Sequence, residues 1–250
     1  MSFSDLAAHA GLFAVGAVAG TLNVVAGGGS FLTLPVLLFF GLPAADANGT
    51  NRVGVLAQNL SGVMGFHRSN AMDWRWGLAV SVPAVLGAAA GATWALQIGD
   101  LSFRRLLSVA MLGMTLWTVL RRPSRPDGTH LESPWRPANV VAFFLIGVYG
   151  GLIQAGVGFA VLAATSRAGM DLVRGNAVKL LAVLLLTVLS LAIFASSGVV
   201  HWGYGLALGA GNVVGAILGV RLAIRQGHAW IQRVVTVAVV AFAVLLWFDR

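Results

Sequence analysis

Residues 12–43 read LFAVGAVAGTLNVVAGGGSFLTLPVLLFFGLP. No Asp, Glu, Lys or Arg interrupts this apolar stretch, yet Gly27, Gly28 and Gly29 stand together near its middle. Glycine costs about 1 kcal/mol relative to alanine inside a helix, so three in a row mark a place where helix stops and restarts. In lipid, backbone groups freed by such a break have no water to bond, so the break must line protein or a water-filled cavity. Ser30 is expected to cap the restarting helix, whose N-terminus offers free N–H groups and a positive dipole end to an anion. The competing reading is close helix packing through small residues.

The rest of the chain matches this start. Of 250 residues 58% are hydrophobic and 10% charged, with a mean hydropathy of +0.86, so lipid is the solvent for most of the surface. Apolar stretches fall at 8–41, 48–66, 76–96 and 103–120, then at 138–166, 176–197, 203–220 and 231–248. A second interruption lies around Gly156 and Gly158. The N-terminus has Asp5 and His9 but no Lys or Arg before its apolar run, which disfavours a cleaved signal peptide.

Between the two sets of stretches lies RRPSRPDGTHLESPWRP, polar and proline-rich. It divides the chain into a first membrane repeat (1–120), a cytoplasmic linker (121–137) and a second membrane repeat (138–250). The halves align. A shift of 131 places Gly16, Gly20, Asn23 and Gly27 on Gly147, Gly151, Gln154 and Gly158. A shift of 128 places Asn48, Asn51, Trp74, Gly77, Gly87 and Gly91 on Asn176, Lys179, Trp202, Gly205, Gly215 and Gly219. Internal repeats of this kind point to secondary transporters.

Arginines set the topology. The linker carries Arg121, Arg122, Arg125 and Arg136 and is expected in the cytoplasm, with the turns holding Arg68 and Arg75, Arg167 and Arg174, and Arg221 and Arg225. The turn at 198–202 has no Lys or Arg and is expected outside; Arg104 and Arg105, near an outer loop, run against the pattern. The count closes only if 138–166 enters and leaves on one side and the repeats are inverted. The expected fold is therefore an all-α integral membrane protein of two inverted repeats, each a glycine-broken re-entrant hairpin plus three spanning helices.

The segment from Asn48 to Asn59 is polar for a spanning helix and includes Arg52; the second half offers Lys179 at the corresponding place. All eight acidic residues lie in loops or near expected helix ends, so neither base has an obvious carboxylate partner. An intramembrane cation is usually kept where it faces a cavity or a ligand; snorkelling from a helix end is the alternative. Asn23, Asn48, Thr50, Asn51, Gln58, Asn59, Gln154 and Asn176 can bond oxyanion oxygens or serve as interhelical glue. The expected substrate site comprises Asn23, Gly27, Gly28, Gly29, Ser30, Asn48, Asn51, Arg52, Gln58, Gln154, Asn176 and Lys179.

Other features argue for less. Trp74, Trp76, Trp202 and Trp247 sit near helix ends as interfacial anchors do, and Gly87/Gly91 and Gly215/Gly219 have helix-packing spacing. The net charge of +8 resides mainly in loop arginines, and no nucleic-acid-binding motif accompanies it. There is no cysteine, the five histidines lack i, i+4 pairing, and neither a Walker A motif nor a nucleophile elbow is present. No catalytic residue, metal or cofactor is expected. The expected partners are a small anion and membrane lipid, without nucleic acid and with a homo-oligomer left open.

GGGSFLTLPVLLFFGLP, the A-x-x-x-GTNRVGVLAQNLSG segment, MDWRW, the G-x-x-x-G helix and RGNAVKLL together resemble the TauE/SafE sulfite-exporter family of membrane permeases, over nearly the whole chain. The resemblance implies about eight membrane segments in two repeats. It implies a substrate among sulfite, sulfonates and related small anions, moved across a bacterial plasma membrane. Gly27, Gly28, Gly29 and Pro35 match the family's first glycine-rich motif; Asn51, Arg52, Asn176 and Lys179 match its polar segments. The second break, AGVGF, is thinner than the first. A non-transporting membrane scaffold is the alternative function.

Overall fold

A computed structural model describes residues 3–25, 27–120 and 131–225 of the chain. Among these residues there are nine helices and no strand. The first half gives α1 (Phe3–Val25), α2 (Ser30–Phe39), α3 (Ala44–Arg68), α4 (Trp74–Ala95) and α5 (Asp100–Leu120). The second gives α6 (Pro137–Leu152), α7 (Val157–Arg167), α8 (Leu172–Ser196) and α9 (Trp202–Arg225). The apolar stretch at 231–248 and most of the linker lie outside the described residues.

The lipid-facing surface is apolar, and polar side chains are buried among the apolar core. Leu78, Val82 and Leu86 on α4 and Leu206, Ile217 and Leu218 on α9 are exposed, while Asn48, Thr50, Asn51, Arg52, Gln58 and Asn59 on α3 are buried. Among the described residues, four helices are long and apolar enough to span a bilayer by themselves: residues Asp5–Val25 of α1, α4, α8, and Trp202–Leu222 of α9. The polar α3, 25 residues long, is shielded by its neighbours and reaches about 37 Å at 1.5 Å per residue, enough to cross. The chain is an all-α, multi-pass integral membrane protein.

Glycines determine which helices touch. Gly16 and Gly20 of α1 face the backbone of Leu208 and Asn212 on α9, and Gly211 and Gly215 of α9 face that of Phe13 and Ala17. Residue order rises together on both, so α1 and α9 run parallel. On α4 and α6 the same device recurs, with Gly87 and Gly91 facing Phe144 and Val148, and Gly147 and Gly151 facing Ala84 and Ala88. The packing expected of the G-x-x-x-G motifs is the packing observed. Between α3 and α8 the order reverses: Gly49 lies beside Phe194 and Gly62 beside Leu180, so these two run antiparallel. Exchanging α1–α4 with α6–α9 maps the α1–α9 pairing onto α6–α4 and the α3–α9 pairing onto α8–α4.

Side-chain contacts locate the two faces. His9 of α1, Phe40 just after α2, and His201 all pack against Tyr204 near the start of α9, and His201 Nε2 donates to Asp46 in the first turn of α3 at 2.7 Å. The Ala44 N–H donates to Asp100, which brings the start of α5 to this same face. At the opposite face His67 packs on Trp74, Trp76 Nε1 donates to Glu132 O at 3.1 Å, and Glu132 N donates to Ala168 O at 2.9 Å. The pair α1–α2 thus enters and leaves at the first face, and α6–α7 at the second. Arg68, Arg75, Arg136, Arg167 and Arg174 gather at the second face; Arg104 and Arg105 stand at the first.

Two expectations are corrected. Ser30 is the first residue of α2, not its cap; Gly29 holds the cap position in helical conformation, and no side chain bonds there. Trp76 is no interfacial anchor, because it is 3% exposed and its indole N–H serves the Glu132 carbonyl. Trp74 and Trp202 are exposed, as anchors are, and Trp247 lies outside the described residues.

Candidate functional site

The two hairpins meet at their tips. α1 ends where Gly27 takes φ +91° and its N–H bonds Asn23 O at 2.9 Å, a left-handed close for which glycine is the default residue. α6 ends at Leu152, and the chain turns through Gln154 at φ +66° and Gly156 at φ +75° before α7 begins. Gly27 and Gly158 lie backbone to backbone: a Cβ on Gly27 would stand 2.7 Å from Gly158 C, and one on Gly158 2.6 Å from Gly27 Cα. These are the glycines that the shift of 131 superposes.

Each broken helix exposes C-terminal carbonyls, which carry the negative end of its dipole and have no partner within the helix. The opposite half supplies one cation to each. Lys179 of α8, 1% exposed, donates to Asn23 O at 2.8 Å, Val24 O at 3.0 Å and Asn176 Oδ1 at 2.8 Å. Arg52 of α3, 0% exposed, donates to Gly150 O at 3.2 Å, to Gly151 O and to Asn48 Oδ1 at 3.3 Å, while Asn48 Nδ2 donates to Leu152 O at 2.7 Å. The guanidinium also lies over the Phe194 ring, 4.6 Å from its centre. Neither base snorkels, and among the described residues neither meets a carboxylate. Helix-end carbonyls serve as their counter-charges.

Beside the tip contact is a cavity of about 10 Å³, room for one water at most. Asn23, Ser30, Asn59, Gln154, Gly158 and Lys179 line it with Val55, Val157 and Val183. The first residues of α2 and α7 both border it, so two helix N-termini converge on one small polar space. Of the residues expected at a site, the structure brings Asn23, Ser30, Gln154 and Lys179 together here, with Gly27 touching Gly158 and the buried Gly28 and Gly29 leading into Ser30. Asn48, Asn51, Arg52, Gln58 and Asn176 are buried nearby but do not line the cavity: Asn48 and Arg52 hold the end of α6, Asn176 holds Lys179, and Asn51 Oδ1 accepts from Thr33 Oγ1 at 2.6 Å.

Three contributors were missed in the sequence. Thr187 Oγ1 accepts from Gln154 Nε2 at 2.7 Å, Tyr149 Oη donates to Ala155 O at 2.5 Å across the second break, and Asn212 is buried where α9 meets Gly20 and Gly54. Asn212 was open to detection as an amide within an apolar span; Thr187 and Tyr149 carry no such signal. Among the described residues no group of three or more His, Cys, Asp or Glu could hold a metal ion.

A membrane-embedded fold of this kind, with broken helices meeting around a polar centre, defines the class of multi-pass membrane transporters. The family model described as "Sulfite exporter TauE/SafE" matches residues 12–246, and the chain belongs to that family. It is 26% identical over 240 residues to a probable membrane transporter protein of Haemophilus influenzae, covering 96% of this chain and 94% of the relative. It is 27% identical over 248 residues to the probable membrane transporter protein ORF9 of Sinorhizobium sp, covering 98% and 95%. With the probable membrane transporter protein YfcA of Escherichia coli K12 the identity is 24% over 242 residues, covering 95% and 89%. No solved structure matches the chain.

Proposed function

We propose that this transporter is a secondary permease for a small anion, sulfite, an organosulfonate or a related sulfur oxyanion or carboxylate, moved by alternating access at the meeting point of the two hairpin tips. The single observation that carries this reading is the polar cavity where two helix N-termini converge beside a buried Lys179 with no carboxylate at hand. Positive dipole ends, amide and hydroxyl donors and one fixed cation make a field for negative charge. The family description, sulfite exporter, agrees with that sign of charge.

In this reading the two halves, 1–120 and 138–250, are inverted repeats joined by a cytoplasmic linker at 121–137. The antiparallel course of α3 against α8, and the two hairpins opening at opposite faces, support it. A cavity of about 10 Å³ is smaller than any oxyanion of several heavy atoms, so one hairpin tip must withdraw from the other for substrate to bind. The Gly27–Gly158 contact is the seam that parts. Purified protein in liposomes should accumulate labelled sulfite or a sulfonate down a gradient, above protein-free liposomes. Folded, inserted protein that moves none of these anions would favour the scaffold alternative.

A further inference from the structure

Gln154 is the one cavity residue held in a left-handed backbone conformation without being glycine, at φ +66°. Such strain persists only where the surroundings fix it, and it clusters at functional positions. The side chain is fixed as well. Gln154 Nε2 lies 2.7 Å from Thr187 Oγ1, and the Thr187 hydroxyl spends its only hydrogen on Val183 O at 2.6 Å. Thr187 can therefore only accept from Gln154, which sets the amide with its NH2 toward Thr187. The other end of the amide, Oε1, is buried without any donor among the described residues, although Gln154 is 1% exposed. A buried carbonyl left unpaired is costly, so this acceptor awaits a partner.

No donor of the cavity lining reaches it. All three hydrogens of the Lys179 ammonium are taken, by Asn23 O, Val24 O and Asn176 Oδ1, and Asn59 Nδ2 gives one of its two hydrogens to Val55 O at 2.8 Å. A fully ionised oxyanion carries acceptors only, so it would set lone pairs against Gln154 Oε1. Resting on the permease reading above, we propose that the site takes an oxyanion that still carries a hydrogen-bond donor, a protonated oxyanion or an organic anion bearing a hydroxyl or amino group. Gln154 Oε1 receives that donor and is the specificity determinant. The ionised oxygens of the same ligand meet the Gly158 N–H in the first turn of α7, the Ser30 hydroxyl and the field of Lys179.

The test compares isethionate with propanesulfonate, two stable sulfonates of nearly equal size that differ in a terminal hydroxyl against a methyl. Each is measured as a competitor of labelled sulfite flux in liposomes holding the full chain. Wild type should prefer isethionate by about tenfold or more in half-inhibitory concentration, the usual cost of leaving one buried acceptor unpaired. Gln154→Leu should bring the two to parity. Thr187→Val, which frees the amide to turn its NH2 toward the ligand, should erode the preference without removing the glutamine, and it serves if the leucine variant fails to fold. Equal potency of both sulfonates in wild type, or failure of both to compete, would overturn the proposal and leave a cavity water as the partner of Gln154. Absence of any sulfite or sulfonate flux would instead strike the permease reading itself.

Discussion

Replacing Lys179 by methionine keeps the length of the side chain and removes its charge and its three donors. Asn23 O, Val24 O and Asn176 Oδ1, now at 2.8, 3.0 and 2.8 Å from the ammonium, would be left buried and unpartnered. Three orphaned acceptors at about 1–3 kcal/mol each total about 3–9 kcal/mol, and relief from burying an ammonium returns several of these, so a net loss of a few kcal/mol is expected. Denaturant unfolding of purified protein in detergent, with no anion present, measures that loss directly. A clamp on the end of α1 loses stability in the absence of substrate; a pure ligand group does not. Stability within about 0.5 kcal/mol of wild type, accompanied by a tenfold drop in anion affinity, would refute the clamp. Arg52→Met should behave alike at the end of α6. Because Arg52 and Lys179 share no partner, the double variant should be additive to within about 0.5 kcal/mol, and a coupling well above that would mean the two clamps are not independent.

Gly158→Ala places a methyl 2.6 Å from Gly27 Cα, where only backbone can give way, so transport should fall by tenfold or more in protein that still elutes as a folded species; undiminished flux would free the tip contact from any role. The chain has no cysteine, so Asn70→Cys and Ser197→Cys, both exposed, can be labelled without background by an impermeant maleimide. They should react from opposite sides of sealed vesicles, Asn70→Cys from the cytoplasmic side, and labelling from one side would exclude inverted repeats. Asp46→Asn, at an exposed pair with His201, should cost less than about 1 kcal/mol in the same unfolding assay.

The hairpins were legible because their signal is a contradiction within the sequence: apolar residues long enough to span, interrupted by GGG at 27–29 and by AGVGF at 155–159. The contact between Gly27 and Gly158 joins the two glycines that the shift of 131 superposes, as the proposed inversion of the repeats would require of residues on its two-fold axis. Arg52 and Lys179 stood out as buried cations, but their use did not. Their partners are main-chain carbonyls of a helix in the other half of the chain, 98 residues away or more, and every residue type carries a carbonyl, so nothing in the side-chain alphabet marks which ones a helix break leaves free. Residue type alone marks Ser30 as a cap, whereas Gly29 already takes helical dihedrals and moves the start back by one residue. Its place at a helix start marks Trp76 as an anchor, but the returning linker at Glu132 covers it. Thr187 matters only because Gln154 reaches it, a pairing across 33 residues without periodic signature.

The central claim is that the cavity between the hairpin tips is the anion pathway, and Asn59, 1% exposed and lining it, is the place to ask. Asn59→Cys in the cysteine-free chain should react slowly with a small, charged methanethiosulfonate reagent added to either side of proteoliposomes, as each hairpin tip withdraws in turn. Saturating sulfite should slow both reactions. A cysteine at position 59 that stays inert from both sides, or that reacts at a rate indifferent to every anion tested, would contradict the account and return the glycine breaks to helix packing alone.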